Sequence, residues 1–320
     1  TSDGFDATVR AAIARHGVRR VGVILGTSTS GILATETAYR QRDPLSGALP
    51  ASFIYRGTHN TYSLAAFVRD WFGLEGPAGV VSTACSSSAK VHAAAARMIH
   101  AGLIDAAIVG GVDSLCLTTL HGFASLELTS PEPCRPYDAA RKGISIGEAA
   151  AFALLERPPA SLDADAVLLL GCGESSDAYH MSSPHPEGRG ARQAMEAALA
   201  DAGLTADDID YINLHGTATP NNDAAEAYAV AALFGTRVPG SSTKGITGHT
   251  LGAAGALEAS VCALALAEGF LPGSVNTRTL DPGIPIDYLL STREAPLRHA
   301  MSNSFGFGGS NCSLVFGRAG

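Results

Sequence analysis

The feature that most constrains the fold is a repeated alternation of short apolar runs with alanine-rich stretches. In the first half, Cys85 leads into an apolar helix that reaches about residue 99, and 105–109 follows as a strand. In the second half, a strand at 238–242 precedes an alanine-rich helix at about 252–267. Strand–helix–strand units of this kind indicate parallel α/β packing. The sequence therefore predicts two related halves, each built around a buried central helix of small residues.

The other predicted elements fit the same scheme, and the proline pair at 157–160 is the expected join between the halves. We therefore expect an N-terminal half over residues 1–156 and a C-terminal half over 157–320. Four further elements are predicted from apolar patterning and glycine positions: a strand at 21–25, a helix at 65–72, a strand at 209–214 and a helix at 222–233.

Composition excludes several classes of protein. The chain has 320 residues, of which 46% are hydrophobic and 16% charged, and its net charge of -8 argues against a nucleic-acid binder. It has no run of about 18 uncharged apolar residues, so no membrane span is expected. The polar first residues do not resemble a signal peptide. Six cysteines without a C-x-x-C pair predict free thiols in a reducing cytoplasm and no zinc site.

Cys85 lies at a position that suits a nucleophile, where a strand turns into a helix. Backbone N–H groups and the dipole at a helix N-terminus favour a thiolate. The same N–H groups can bind an oxyanion. Taken alone, the segment is equally compatible with a packed core thiol, since free cysteine is often buried. The other five cysteines lack such a setting and are interpreted as structural.

Two histidines and one lysine stand in comparable settings. His215 follows a strand, at the end where α/β sheets bind ligands. Lys244 precedes His249 by five residues, and His249 lies at a helix start, where the helix dipole favours a neutral imidazole. A buried lysine needs a partner, and Glu226 on the preceding helix is the expected one. The remaining histidines are interpreted as structural, since a single histidine is more often structural than catalytic. His180 and His185 have a spacing that could suit a metal, but no third ligand accompanies them.

A glycine-rich segment, 304–310, lies between two predicted strands. Glycine permits unusual backbone angles and close approach to a ligand. A plain β-turn is the alternative, but Phe305 and Phe307 within this glycine frame favour a segment that lines a site.

Taken together, these segments make the sequence resemble the elongating β-ketoacyl-acyl carrier protein synthases of the thiolase-like superfamily. The resemblance runs from about Val21 to Phe316 and rests on segments in family order: 83–85, 215–219, 244 with 248–249, 303–309, 134–138 and 176–181. It implies a layered α-β-α-β-α fold. Two departures stand out: the family's opening strand and helix are not found, and 147–150 is less glycine-rich, from which we expect local repacking only.

The resemblance implies a role for each candidate residue. Cys85 takes the acyl group, and the backbone N–H groups of Cys85 and Phe307 form the oxyanion hole. His215 and His249 bind the malonyl thioester carbonyl and stabilise the enolate, with Lys244 and Glu226 as a supporting pair. Three further sets complete the expected site: the gating loop Phe305, Gly306, Phe307 and Gly308; the phosphopantetheine contacts Thr217 and Thr219; and Thr29 in the acyl pocket.

The expected activity is a decarboxylative Claisen condensation with malonyl-acyl carrier protein, in fatty acid, polyketide or polyene synthesis. The expected partners are the acyl carrier protein and a second synthase subunit, in a homodimer or heterodimer. No metal or cofactor is expected, since phosphopantetheine arrives on the carrier. The alternative is a non-catalytic chain-length partner of the same fold, which would lack the nucleophile. A cysteine hydrolase is a second alternative, but it would leave the second histidine and the lysine without a role.

Overall fold

The structure is a computed structural model that describes residues 4–319. Its helices are α1 Phe5–His16, α2 Ile32–Arg40, α3 Tyr55–Thr58, α4 Ser63–Phe72, α5 Ser87–His100, α6 Leu117–Ser125, α7 Arg189–Ala202, α8 Pro220–Phe234, α9 Lys244–Thr247 and α10 Ala254–Glu268. Its strands are β1 Val21–Gly26, β2 Ala78–Val81, β3 Ala106–Asp113, β4 Ala149–Glu156, β5 Val167–Ser176, β6 Tyr211–Asn213, β7 Pro239–Ser241, β8 Phe270–Leu271, β9 Asp287–Tyr288, β10 Arg293–Glu294, β11 His299–Gly306 and β12 Ser310–Arg318.

Two mixed sheets organise these elements. The first has the order β2-β1-β3-β4, with β1 parallel to β2 and β3, and β4 antiparallel. The second has the order β5-β12-β11-β6-β7-β9, in which β6 is parallel to β7 and β11, while β12 runs antiparallel to β11 and β5. The run β7-β6-β11-β12 therefore repeats β2-β1-β3-β4 in order and direction, as two related halves require.

The central helices α5 and α10 pack between the two sheets. They touch so closely that a Cβ added to Gly255 would lie 2.5 Å from the backbone nitrogen of Ala89. The hydroxyl of Ser88 also accepts a hydrogen bond from the Ala256 N–H at 2.8 Å. The stretch Leu251–Glu268 is long and apolar enough to cross a membrane, but 61% of it is buried inside the protein. It is therefore the core helix that the alanine pattern predicts.

The N-terminal region differs from the sequence expectation. A helix that the sequence analysis did not predict, α1, precedes β1. Its apolar periodicity is weak, and only Val9 and Ala12 are buried. In the second sheet β5 covers the outer edge of β12, whereas the described residues place no strand on the outer edge of β4.

Candidate active site

Cys85 lies in a single 3-10 turn, 84–86, between β2 and α5. The turn is held by Ser87, whose hydroxyl accepts from the Thr83 N–H at 2.8 Å and donates to the Ala84 carbonyl oxygen at 2.6 Å. Ala84 adopts a left-handed φ of 54°, which is strained for a residue with a Cβ. Such strain is stored where the surrounding structure over-determines the backbone. Cys85 itself is buried, 5% exposed.

Both predicted histidines face the thiol. The Nε2 atom of His249 lies 3.0 Å from the Cys85 sulfur, and the ring centroids of His215 and His249 are 5.4 Å apart, edge to face. One nitrogen of each imidazole and the sulfur all lie within 4.8 Å of one another. The nucleophile comes from the first half of the chain and both imidazoles come from the second, so the site forms where the halves meet.

Lys244 contacts both the backbone and the ring of His215. Its Nζ donates to the His215 carbonyl oxygen at 2.6 Å and lies 3.4 Å from the His215 Nδ1. An ammonium group beside Nδ1 requires that nitrogen to be the acceptor, so the His215 proton resides on Nε2. His215 therefore points an N–H donor into the site.

The partner of Lys244 is Glu258 on α10, and the prediction of Glu226 was wrong. Both side chains of the pair are almost fully buried, at 1% and 2% exposed. Glu226 instead accepts from the backbone N–H groups of His215 and Gly216, each at 2.8 Å, and from the Tyr137 hydroxyl at 2.8 Å. Its role is to hold the His215 loop rather than to neutralise the lysine.

Asp223 extends this support by one turn of α8. Its carboxylate accepts from the N–H groups of Thr217 at 3.0 Å and Ala218 at 3.2 Å. Glu226 and Asp223 together therefore bind four successive backbone donors, 215–218, of the loop that carries His215.

One cavity joins these groups to the surface. Of the predicted residues, eight line it: Cys85, His215, Thr217, Thr219, His249, Phe305, Gly306 and Phe307. Lys244 and Glu226 lie behind the wall, and Gly308 donates its N–H to the Met181 carbonyl oxygen. Thr29 does not line this cavity, because its hydroxyl is directed to Asp113 at 2.8 Å.

Comparison with known proteins decides the family. Residues 6–160 match the model "Beta-ketoacyl synthase, N-terminal domain", and residues 166–278 match "Beta-ketoacyl synthase, C-terminal domain". The chain belongs to the β-ketoacyl synthase family. The predicted family and the prediction of an acyltransferase are thereby confirmed.

Curated and solved relatives agree with this assignment. Nodulation protein E of Rhizobium meliloti is 39% identical over 306 residues, covering 93% of this chain and 75% of the relative. The 3-oxoacyl-[acyl-carrier-protein] synthase 2 of Vibrio cholerae is 35% identical, covering 93% and 76%. A chain from the complex of a ketosynthase with its chain length factor from Xenorhabdus doucetiae has a TM-score of 0.90 and 44% identity, covering 98% and 78%. The predicted thiolase-like fold is confirmed.

Burial dominates the electrostatics of the synthase site. It raises the pKa of the Cys85 thiol to about 11, although Lys244 opposes the shift. Burial of the sulfur therefore favours the neutral thiol in the free enzyme, in opposition to the expected effect of the helix N-terminus. Burial, followed by the nearby Lys244 charge, holds the pKa of His215 and His249 well below the usual value for histidine. Both imidazoles are thus neutral, as predicted for His249.

The positive charge of Lys244 also affects whether these residues could bind a metal. Cys85, His215 and His249 are close enough together to be metal ligands. However, Nε2 of His215 carries a proton, and the ammonium of Lys244 lies 3.4 Å from the other nitrogen of that ring. A dication would have to displace the proton and approach a buried positive charge. The arrangement therefore fits donation of hydrogen bonds better than ligation of a metal.

Several cavity residues carried no sequence signal. An apolar part of the cavity wall is formed by Phe123, Leu128 and Ile144. Phe123 packs on Phe307 with ring centroids 5.5 Å apart. They come from α6 and from the loop between α6 and β4, where no apolar periodicity singles them out. Asp177 lies within the family-like segment 176–181, which could have identified it.

Proposed function

We propose that the chain catalyses decarboxylative condensation of an acyl group held on Cys85 with a malonyl group on acyl carrier protein. The observation that carries the proposal is the position of two neutral imidazoles within 4.8 Å of a buried thiol. Neutral N–H donors aimed at one point stabilise negative charge that develops on a carbonyl oxygen. A cysteine hydrolase needs only one imidazole, acting as a base.

In the first half-reaction the Cys85 sulfur attacks the acyl thioester, and the carrier thiol leaves with the proton that Cys85 loses. The developing oxyanion is bound by the backbone N–H groups of Cys85 and Phe307. Support for this role comes from the Phe307 N–H, which hydrogen-bonds to the Cys85 sulfur and is therefore directed at the reacting centre.

In the second half-reaction the bond to the malonyl carboxylate breaks and carbon dioxide leaves. The electron pair forms an enolate whose oxygen accepts hydrogen bonds from His215 and His249. The enolate carbon then attacks the acyl carbonyl, and Cys85 leaves as a thiolate. Because burial raises the pKa of Cys85 to about 11, the thiolate takes up a proton and the site resets.

The neighbouring groups position these reactants. Thr217 and Thr219 lie at the cavity wall with their hydroxyls 2.9 Å apart, where they contact the phosphopantetheine arm. Lys244, with Glu258, fixes the tautomer of His215. Phe305 to Gly308 form the loop that admits the chain. No metal or nucleotide takes part, because the imidazole and backbone donors supply the charge stabilisation.

We also propose that the chain works in the cytoplasm as a dimer, with itself or with a related synthase subunit. Among the solved relatives, a ketosynthase occurs with a chain length factor, and another with an acyl carrier protein. A stable monomer in light scattering at micromolar concentration would count against the dimer. The two halves, 1–156 and 157–320, remain a proposal for the domain division.

The two half-reactions can be separated by substitution. In Cys85→Gln the amide carbonyl can occupy the oxyanion hole, so condensation stops while release of carbon dioxide from malonyl carrier is retained or raised. In His249→Ala that release falls by roughly 10²–10³, the usual loss for one such donor. Acylation of Cys85 falls less, as mass spectrometry of the intact protein would show. If Cys85→Gln releases no more carbon dioxide than buffer while His249→Ala decarboxylates normally, the assigned roles are wrong.

A further inference from the structure

One more buried carboxylate, besides Glu226, Glu258 and Asp223, lies near the candidate site. Asp113 ends β3 and is 2% exposed. It accepts from six neutral donors: Thr27 Oγ1, the N–H and hydroxyl of Ser28, the N–H and hydroxyl of Thr29, and the N–H of Gly252. A buried charge held by neutral donors costs desolvation energy. Its presence calls for a role.

The donors divide between two segments that come from different halves. Five belong to the loop after β1. The sixth, the Gly252 N–H, lies 2.6 Å from Oδ2 and belongs to the 3-10 turn 251–253, which begins two residues after His249. Asp113 therefore connects the first sheet to the turn that follows His249, the proposed enolate-binding residue.

That turn repeats the geometry of the nucleophile turn. Leu251 has φ 54°, as Ala84 does, and each turn leads straight into a central helix. Gly252 therefore occupies the place in the second half that Cys85 occupies in the first. The backbone N–H of Cys85 is the proposed oxyanion donor, whereas at Gly252 the carboxylate of Asp113 already occupies the equivalent place.

We propose that Asp113 is a positioning residue for His249: its carboxylate holds the strained turn that sets the distance from Nε2 to the Cys85 sulfur. The role rests on the proposed function, since it concerns the enolate-binding imidazole. A left-handed non-glycine residue persists only when neighbouring contacts over-determine it. The Asp113–Gly252 contact supplies one such restraint.

Asp113→Asn breaks this contact selectively. The hydroxyls of Thr27, Ser28 and Thr29 can rotate to suit an amide, but backbone N–H groups cannot. Oδ1 accepts from the N–H groups of Ser28 and Thr29 and from two hydroxyls, so the amide oxygen takes that side. The amide NH₂ then faces the Gly252 N–H, donor against donor. The turn loses its anchor while the loop after β1 keeps its contacts.

The experiment measures each half-reaction with and without Asp113→Asn, in the parent protein that suits that half-reaction. Asp113→Asn with Cys85→Gln is assayed for carbon dioxide release from malonyl carrier, and Asp113→Asn alone for acetylation of Cys85 by acetyl carrier. Displacement of a reacting group by about 1 Å can cost about 10²-fold. We expect decarboxylation to fall about 10–100-fold and acetylation to fall at least tenfold less. Asp210→Asn is the control, because Asp210 also accepts from two backbone N–H groups, of Arg298 and His299, remote from the site.

Further measurements keep the result decisive. Amide exchange of a peptide over 250–253 should accelerate in Asp113→Asn and stay unchanged in Asp210→Asn, whatever the activity. If Asp113→Asn does not fold, Ser28→Ala replaces it, because this substitution removes the hydroxyl that lies 2.5 Å from Asp113 and 3.3 Å from the Gly252 N–H. We then expect decarboxylation to fall about threefold more than acetylation.

The outcomes separate the two proposals. An unchanged ratio of the two half-reactions in an active enzyme, or unchanged exchange at 250–253, overturns the positioning role alone. The proposed function is overturned if the unmodified enzyme does not acylate Cys85 and the Cys85→Gln variant releases no carbon dioxide. In that case the exchange measurement still decides whether Asp113 anchors the turn.

Discussion

Glu258→Gln tests the buried ion pair at the centre of the molecule. The substitution keeps the shape of the side chain but leaves the Lys244 ammonium without its carboxylate. Breaking one side of a buried pair costs about 3–5 kcal/mol, because an uncompensated charge remains inside the protein. We therefore expect the free energy of unfolding to fall by about that amount in Glu258→Gln and in Lys244→Met.

The double variant distinguishes Glu258 from Glu226 as the partner. With both charges gone no buried charge is stranded, so Lys244→Met with Glu258→Gln should recover about 2–3 kcal/mol of the summed loss, within the range measured for contacting pairs. Lys244→Met with Glu226→Gln should recover less, since Glu226 binds backbone N–H groups and Tyr137. Activity should stay low in both, because His215 loses the group that fixes its tautomer.

Urea unfolding at pH 8 is the appropriate assay. Burial raises the pKa of Glu258 to about 7, so its carboxylate is ionised above that pH and takes up a proton below it. The coupling with Lys244 should therefore shrink as the pH falls through about 7 to 6. A coupling with Glu226 equal to or larger than that with Glu258, at pH 8, would refute the assignment.

Two further predictions concern the thiol and the helix contact. With its pKa raised from 9.0 to about 11, Cys85 should react with iodoacetamide at pH 8 about 10²-fold more slowly than a free thiol, and the rate should still rise above pH 9; a plateau near pH 8 would contradict this. Gly255→Ala should cost at least about 1–3 kcal/mol in urea unfolding and reduce condensation, because the new Cβ would lie 2.5 Å from the Ala89 nitrogen. Gly57→Ala is the control, since its Cβ would meet nothing within 4 Å; equal losses in both would show that the helix contact is not responsible.

The candidate residues that line the cavity could be predicted, because each lies at a position that the local sequence indicates. Cys85 lies between a strand and a helix, and His215 follows a strand. The elements next to each residue therefore suffice to predict that it lies where a ligand can bind. The glycine frame around Phe305 and Phe307 gave a similar local signal. All of these line the same cavity.

The contacts behind those residues could not be predicted, because they depend on which helices meet. Glu226 and Glu258 both lie on helices of the second half, and nothing in their spacing from Lys244 separates them. Only the packing of α10 against the lysine does so. Thr29 was placed in an acyl pocket on its loop position, yet its hydroxyl bonds Asp113, which lies more than eighty residues away in sequence. The α1 helix was missed because few of its residues are buried.

The contact between the two central helices limits how the catalytic centre can change during evolution. At this contact Gly255 has no side chain and Ala89 has only a methyl group, and a Cβ added to Gly255 would lie 2.7 Å from that methyl carbon, so no larger side chain fits there without moving the helices. A larger side chain at this contact would push α5 and α10 apart, and with them Cys85 and His249, which precede these helices. New substrate ranges must then arise from the surrounding wall, where Phe123, Leu128 and Ile144 can be exchanged one at a time while the centre stays intact.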